Sequence, residues 1–483
     1  MKHRKKTIIL LLTMALTLFS SVVFSPPAVS EANSAPRETK GYDSSGVIVK
    51  TENSPIVVDK EDLTFHIYSA DRFIPVQEYV RRGIVTAEYT FRNPTNLIVE
   101  TRCLFPFGFV PYDESQTEAD NEYFKVKTNG KDLDKTIRHT YKADPFAKFD
   151  LEEDLRYFSD DFIADDTLST DLTVYEYVLD VKGANGKLPT YVKFSDNVKN
   201  LKYIVADNYV KYEKNGDITE LVAWQDGLKN GQLTLAFVGE DVTDIESKFS
   251  FFDDKWKSVG GSVVKGKKVE YNFKDYALKF RPAGSEVSDV DWYNATVAMI
   301  KSMMTTVIGV WKHSLSTRLF RWYDYTLTFA PEETLVNTVS APLYPSVNRN
   351  HVPPVYSYTY LLSPAAGWAD FNNLTIRIYT DMYLLRGETR KSVTNPDGSV
   401  TIIGETVDFA KNGGVYEARF EKLPDGDLTL FLCASENPER YKPPLGKVTK
   451  IIIILSTGIG MIVIATIILV VTVKKQKTKG KKR

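Results

Sequence analysis

A mainly β fold is what this sequence predicts: two or more antiparallel, sandwich-like modules with inserted helices, ending in one C-terminal transmembrane helix. Three observations carry the expectation. Tyr and Phe number 27 and 26, bringing aromatics to 12% of the chain, and both residue types favour strands. Short stretches of alternating apolar and polar residues recur between turn-forming clusters, without the interleaved helices of a parallel α/β sheet. Finally, the run from Ile451 to Val473 holds no charge and no proline. The remaining composition, 43% apolar and 25% charged over 483 residues, is that of a globular protein of roughly three domains. It excludes a wholly disordered, collagen-like or polytopic membrane chain. Two cysteines, Cys103 and Cys433, are too few for a disulfide scaffold or a multi-cysteine metal cluster.

The chain opens on Lys2, Arg4, Lys5 and Lys6, followed by an apolar run from Ile8 to Phe24 and the small residues Ala28 and Ser30. This layout reads as a signal peptide, 1–30, cleaved after Ser30. The length of the apolar run leaves an uncleaved signal anchor as the alternative. Residues 31–55, with Pro36, Gly41, Ser44, Ser45 and Gly46, carry loop chemistry and read as an exposed leader.

A first β-sandwich module is expected over 56–250. In 85–92, Val85, Ala87, Tyr89 and Phe91 alternate with Thr86, Glu88, Thr90 and Arg92, the period of a half-buried strand. Asn93, Pro94, Thr95 and Asn96 form a turn. Leu97, Val99, Thr101, Cys103 and Phe105 then face inward on a returning strand, completing a hairpin. Further strands are expected at 209–213 and 218–224, around Asn215-Gly216, and at 232–238. An insertion at 144–166 holds nine acidic and two basic residues, with Phe146, Phe149, Leu155, Phe158 and Phe162 at helical spacing. It reads as an amphipathic helix or helical pair with a solvated acidic face. A Ca²⁺ site is the sharper alternative, but no D-x-[DN]-x-[DN]-G loop accompanies it.

A second β-rich module is expected over 251–436, with strands at 268–273, 325–329, 374–379, 415–421 and 427–433. Its one strong helix is 289–318, where Trp292, Met299, Ile300, Met303, Val307, Val310 and Trp311 recur at mostly three- and four-residue spacings. That helix covers a sheet, or else its Met-rich face meets a partner through Met299, Met303, Met304 and Ile308, since methionine faces repack easily. A weak internal echo links Tyr89-Thr90-Phe91, leading to Leu104-Phe105-Pro106, with Tyr325-Thr326-Leu327, leading to Leu343-Tyr344-Pro345. A duplicated module would produce it, and so would chance in a strand-rich chain. Strand-like runs around Cys103 and Cys433 favour two buried free thiols.

A juxtamembrane linker, 437–450, leads to the uncharged run. At 1.5 Å per residue, 451–473 spans roughly 34 Å, enough for the hydrocarbon core of a bilayer. Seven of the ten residues 474–483 are cationic and none is acidic, so this tail is expected in the cytoplasm. The expected topology is single-pass in the cell membrane, N-terminus outside, with the lipid bilayer met through Ile451 to Val473. Without the cations of the two ends, 50 basic residues face 62 acidic ones, a net charge of −12. Such a domain is repelled by nucleic acid and by anionic lipid surfaces.

Ile84 to Pro106, with Phe91-Arg92-Asn93-Pro94-Thr95-Asn96 and Leu104-Phe105-Pro106-Phe107, resembles a vault/inter-α-trypsin (VIT) type β-sandwich module. Phe124 to Lys131, with its Asn129-Gly130-Lys131 turn, is similar to the strand that follows in such modules. The whole also resembles membrane-anchored surface proteins of Gram-positive type. The run Tyr358 to Pro364, with Trp368, Asp370, Phe371 and Leu374, is similar to a second motif of that group. The resemblance implies binding or scaffolding and no catalysis. The von Willebrand domain that usually adjoins is missing, with no Asp-x-Ser-x-Ser metal site.

Nothing in the motifs supplies a reaction. HExxH, G-x-S-x-G and GxxxxGK[ST] are all missing, and His66, His139, His313 and His351 are isolated. No cofactor and no metal ligand set is expected. Trp368 beside Asp370 could stack on a sugar; the alternative places Trp368 in the core. The sequence therefore points to non-enzymatic binding, adhesion or structural support at the cell surface. The alternatives are a surface hydrolase acting on carbohydrate or peptidoglycan through paired carboxylates, and a subunit of a membrane complex.

Overall fold

The computed structural model describes residues 38–39, 44–45, 47–49, 53–68, 83–109, 125–143, 151–165, 167–206, 209–224, 231–303, 315, 318–395, 397 and 399–441. The expected signal peptide, transmembrane run and basic tail lie outside them. Among the described residues, no helix is long and apolar enough to cross a membrane.

The protein is mainly β and its sheets are antiparallel almost throughout. Of the described pairings, only Ser44–Ser45 on Val355–Leu361 and Asp370–Thr380 on Val57–Ile67 are parallel. Three sheets share one core. An eight-stranded sheet runs Ala410–Asn412, Val415–Lys422, Asp370–Thr380, Val57–Ile67, Gly83–Arg92, Thr334–Leu343, Lys125–Thr128, Lys131–Asp132. A seven-stranded sheet centres on Val355–Leu361, Asp427–Cys433 and Tyr383–Thr394, and a four-stranded one on Val99–Phe109 and Leu319–Phe329. Alternation fills the space between them. Val85, Ala87, Tyr89 and Phe91 come from the first sheet, Tyr358, Tyr360, Leu428 and Leu430 from the second, Cys103, Phe105 and Tyr325 from the third.

The expected hairpin is corrected by this arrangement. Gly83–Arg92 and Val99–Phe109 belong to different sheets, and Leu97 is exposed rather than inward. The turn between them carries the chain from one layer of the sandwich to the other. Leu319–Phe329 and Thr334–Leu343 make the same crossing, and the two crossings pair reciprocally. Gly83–Arg92 pairs with Thr334–Leu343, and Val99–Phe109 with Leu319–Phe329. The echo between 89–106 and 325–345 is thus two interlocked corners of one sandwich.

Between these corners the chain builds a second sandwich. One sheet runs Tyr203–Ala206, Gln232–Val238, Thr173–Gly183, Gly261–Asn272; the other runs Tyr209–Asn215, Ile218–Trp224, Tyr191–Asn197, Phe249–Phe252, Ser258–Val259. Tyr177, Leu179, Phe194, Leu221, Leu235 and Phe237 fill its core. The opposite face of the first sheet, with Val174, Val205, Ala236 and Val238, lies under the helices Phe273–Leu278 and Asp289–Met303. Side-chain caps start both helices: Asn272 accepts the Asp275 N–H and Ser288 accepts the Asp291 N–H. The expected division into 56–250 and 251–436 is therefore replaced by a nested one, strands from both halves sharing sheets around an inserted module.

Three further expectations change. The leader is stitched into the fold: Glu38–Thr39 pairs with Ser346–Asn348, Ile48–Val49 pairs with Val99–Phe109, and Val47 is fully buried. In the acidic insertion only Leu151–Leu155 is helical among the described residues; Glu152, Glu153, Asp160 and Asp161 are exposed as expected, but two of its acids are tied to neighbouring cations. Asp154 binds Lys142, and Asp160 binds both Arg102 and Arg138. Finally, the helix expected over 289–318 is described from Asp289 to Met303 and is helical again at Leu315, with Leu319 opening a strand; what changes is its polar side. Every residue from Asp291 to Ile300 is buried, because the helix is wedged between the inserted sandwich and the strand Thr136–Tyr141. The polar residues on it find partners: Asp291 binds Arg138 and the His139 N–H, and Asn294 bonds the backbone of Asp161 and Ile163.

Candidate functional site

The outer face of the inserted module gathers aromatic side chains. In Tyr191–Asn197, Val192 and Phe194 point into the core, so Tyr191 and Lys193 point out. Strand register places Tyr191 opposite Trp224 on one neighbour and opposite Phe252 on the other. Three adjacent strands thus each contribute an aromatic to one row.

A fourth aromatic folds back onto this row from the 253–257 turn. The Asp253 carboxylate accepts the N–H groups of Lys255 and Lys257, and Trp256 donates its N–H to the Asp253 carbonyl. Trp256 has φ of 59°, in the left-handed region where a bulky residue costs about 1–3 kcal/mol. Its indole lies parallel to the Tyr191 ring, with centroids 4.2 Å apart and planes 9° apart, and 5.9 Å from Phe252. One indole face rests on Tyr191, and the residue as a whole stays 48% exposed, with Trp224 39% exposed beside it.

Chemically this is a flat, preformed apolar surface with polar groups alongside. An aromatic face is electron-rich at its centre and attracts the C–H-lined face of a pyranose ring. On the same sheet face, Lys193 pairs with Glu220, and the hydrogen bond from Lys193 holds the Glu220 carboxyl below its ordinary range. Both groups can exchange hydrogen bonds with hydroxyls. The sequence carried one unread signal for this site, an isolated Trp256 inside the polar turn Asp253-Asp254-Lys255-Trp256-Lys257. The row itself depends on strand register, which local pattern does not give.

The residues singled out in the sequence are placed differently. Trp368 is 4% exposed and its ring lies 4.3 Å from Phe91 in the sandwich core. It is not offered to a sugar. Asp370 is at the surface, bound to Lys422 and Asn372, so the two do not form a stacking site. Met299 is fully buried among Trp292, Tyr293 and Leu319, which corrects its expected place on a partner surface. Met303 is the last residue of the helix's described part, and Met304 and Ile308 lie outside the described residues. Cys103 and Cys433 are free thiols, both buried.

Two polar clusters lie off this surface. Where the inserted module meets the first sandwich, Arg102 binds Asp160 and Asp324, and Arg138 binds Asp160, Asp291 and the Ser159 carbonyl. The Phe158 ring lies under both guanidinium groups, at 5.5 and 4.5 Å. The Arg102 hydrogen bond, foremost, holds the Asp160 carboxyl far below its ordinary range. The second cluster is inside the first sandwich. Burial pushes the Glu61 carboxyl up to about 7. It lies 3.5 Å from the Tyr360 hydroxyl, itself 3.4 Å from that of Tyr89. Among the described residues no group of three His, Cys, Asp or Glu side chains converges as a metal site.

No family model matches the chain, and no curated protein does. Among solved structures, a protein described as nutrient-binding from Legionella pneumophila is 10% identical with a TM-score of 0.29, over 82% of this chain and 72% of that one. The N-terminal domain of a Streptococcus gordonii adhesin is 9% identical with a TM-score of 0.13, over 82% of this chain and 87% of that one. At such scores neither likeness carries an argument.

Proposed function

We propose that this chain is a non-enzymatic binding protein of the cell surface whose aromatic platform, Trp256 stacked on Tyr191 with Trp224 and Phe252 alongside, takes saccharide rings. The observation that carries the reading is Trp256: a bulky residue is held in a strained backbone conformation that keeps its indole at the surface, fixed in orientation. Pre-organisation of this kind reduces the ordering cost of binding. The single-pass topology, with Ile451 to Val473 in the bilayer and 474–483 in the cytoplasm, is part of the same proposal, supported by the uncharged run and its basic flank. The VIT-type resemblance of Ile84 to Pro106 supports binding over catalysis. Glu61 has a carboxyl in the range of a general acid, but it is sealed in a core, so it does nothing for the hydrolase alternative.

The test uses the full chain in detergent micelles, with soluble chito-oligosaccharides and purified peptidoglycan as probes. Binding and a shift of tryptophan fluorescence are expected. Trp256→Ala should weaken binding about tenfold or more, an anchor-sized loss of at least ~1.4 kcal/mol, with native circular dichroism retained. Failure of the wild-type chain to bind either probe, or binding unchanged in both Trp256→Ala and Trp224→Ala, would overturn the reading.

A further inference from the structure

A second site lies on the other sandwich, at the open end of the seven-stranded sheet. The strand Tyr383–Thr394 pairs with Asp427–Cys433, and the register slips between Leu384 and Arg386. Leu385 is therefore an extra residue, a bulge that bends the strand and re-aims its side chains. Tyr383, just before the bulge, is 41% exposed. Facing it, Lys411 stands opposite Tyr416 in the short pairing of Ala410–Asn412 with Val415–Lys422. The Lys411 ammonium lies 4.9 Å from the Tyr416 ring centre and 5.7 Å from that of Tyr383. The Tyr416 hydroxyl accepts the Leu384 N–H at 3.3 Å, tying the two walls together. Glu436 and Asn437 form the third wall, held in place because Glu439–Arg440 pairs with His351–Val352 just beyond. The groove between these walls is open to solvent and has a volume of about 580 Å³, within the ~300–1,000 Å³ of small-molecule sites.

We infer that this groove binds an acidic sugar, one that carries a carboxylate on a hydroxylated ring. Lys411 decides the charge. Two tyrosine rings fix its ammonium in position, and its hydrogen bond to Tyr416, then the nearby Glu436 carboxylate among lesser causes, keep it protonated. The ammonium is exposed beside both rings and can pair with a ligand carboxylate, while Glu436 on the third wall turns that carboxylate towards Lys411. Glu436 accepts hydrogen bonds from ring hydroxyls, Asn437 both donates and accepts, and the Tyr383 ring gives the sugar an apolar wall. Nothing here depends on the platform of Trp256, which lies on the inserted module.

The test is saturation-transfer NMR on the full chain in detergent micelles, with glucuronic acid and glucose as probes at millimolar concentration. Transfer to glucuronate and not to glucose is expected. Lys411→Met keeps the aliphatic stem over the rings and should abolish the response, Lys411→Arg should retain it, and Trp256→Ala should leave it unchanged. A glucuronate-terminated oligosaccharide separates the sources. Tighter binding than the monomer assigns the end of a polymer, and equal binding assigns the free acid. Equal response to glucose and glucuronate, no response to either, or an unchanged response in Lys411→Met at native circular dichroism would overturn the inference.

Discussion

Glu61 sits where a carboxylate is worst placed. It is 1% exposed in the core of the first sandwich, and one of its oxygens has no hydrogen-bond partner. Its position follows from a slip of register between Val58 and Lys60. Val58 points inward, and beyond the slip the inward set becomes Glu61, Leu63, Phe65 and Ile67. The linkage is direct. The folded chain holds this proton to about pH 7, whereas the unfolded chain releases it near the ordinary glutamate value of 4.5. Stability is therefore full below about pH 4.5 and falls by about 3 kcal/mol as pH rises to about 7, after which this contribution is flat. Denaturant unfolding at pH 5 and pH 8 should show that loss in wild type relative to Glu61→Gln, which stays neutral throughout. Parallel pH profiles for the two chains would show that Glu61 is not the titrating group. Alternation in the sequence marks Tyr89, Phe91, Cys103 and Phe105 as interior. It does not mark Glu61, because a charged residue at an inward position reads as the end of a strand.

At the scale of elements, one buried side chain bridges the interlocked corners. Asn93 is fully buried. Its amide donates to the carbonyls of Leu97, in its own turn, and of Ala330, in the other, while its oxygen accepts the Thr95 N–H. Backbone bonds run beside it, from Asn93 to Glu333 and from Glu332 to Thr95. Asn93→Ala leaves these groups without their partner at a buried site, and should destabilise the protein by about 2–4 kcal/mol. Amide hydrogen exchange should rise together in 93–97 and 330–333. A rise confined to 93–97 would show that the two corners are held independently. The sequence contained both corners as an echo, and it contained the phase of each strand. It did not contain the exchange of partners, because period-two alternation names the face a residue occupies and not the strand beside it. For the same reason the helix at 289–303 was legible from its spacing. Its burial on all sides was not, since spacing along one helix does not show the partners, Arg138 and the backbone of Asp161 and Ile163, that let Asp291 and Asn294 be buried.

For the whole molecule, the aromatic content and the many short alternating stretches foretold the β-rich build and its antiparallel sheets. The nesting was hidden, because strands some 250 residues apart in sequence pair with no local mark of it. Topology remains the decisive test at this scale. Protease added to intact cells should digest the large N-terminal portion and leave a short membrane fragment carrying the basic tail. A chain protected in intact cells and cleaved only after lysis would reverse the proposed orientation.

The stem of the inserted module has a mechanical meaning. The chain leaves the first sandwich at the end of Thr136–Tyr141 and returns at the start of Leu319–Phe329, and Tyr141 pairs directly with Leu319. Both connections therefore emerge from the same end of one antiparallel pair. Tension applied to a ligand held on the inserted module, with the rest of the molecule fixed, peels that pair open bond by bond, as a zipper opens, rather than shearing all its bonds at once. The clamp on the zipper is electrostatic. Arg138 lies on the strand being peeled and holds Asp291 of the inserted module's helix, so an outward pull must break a buried ion pair before the stem can advance.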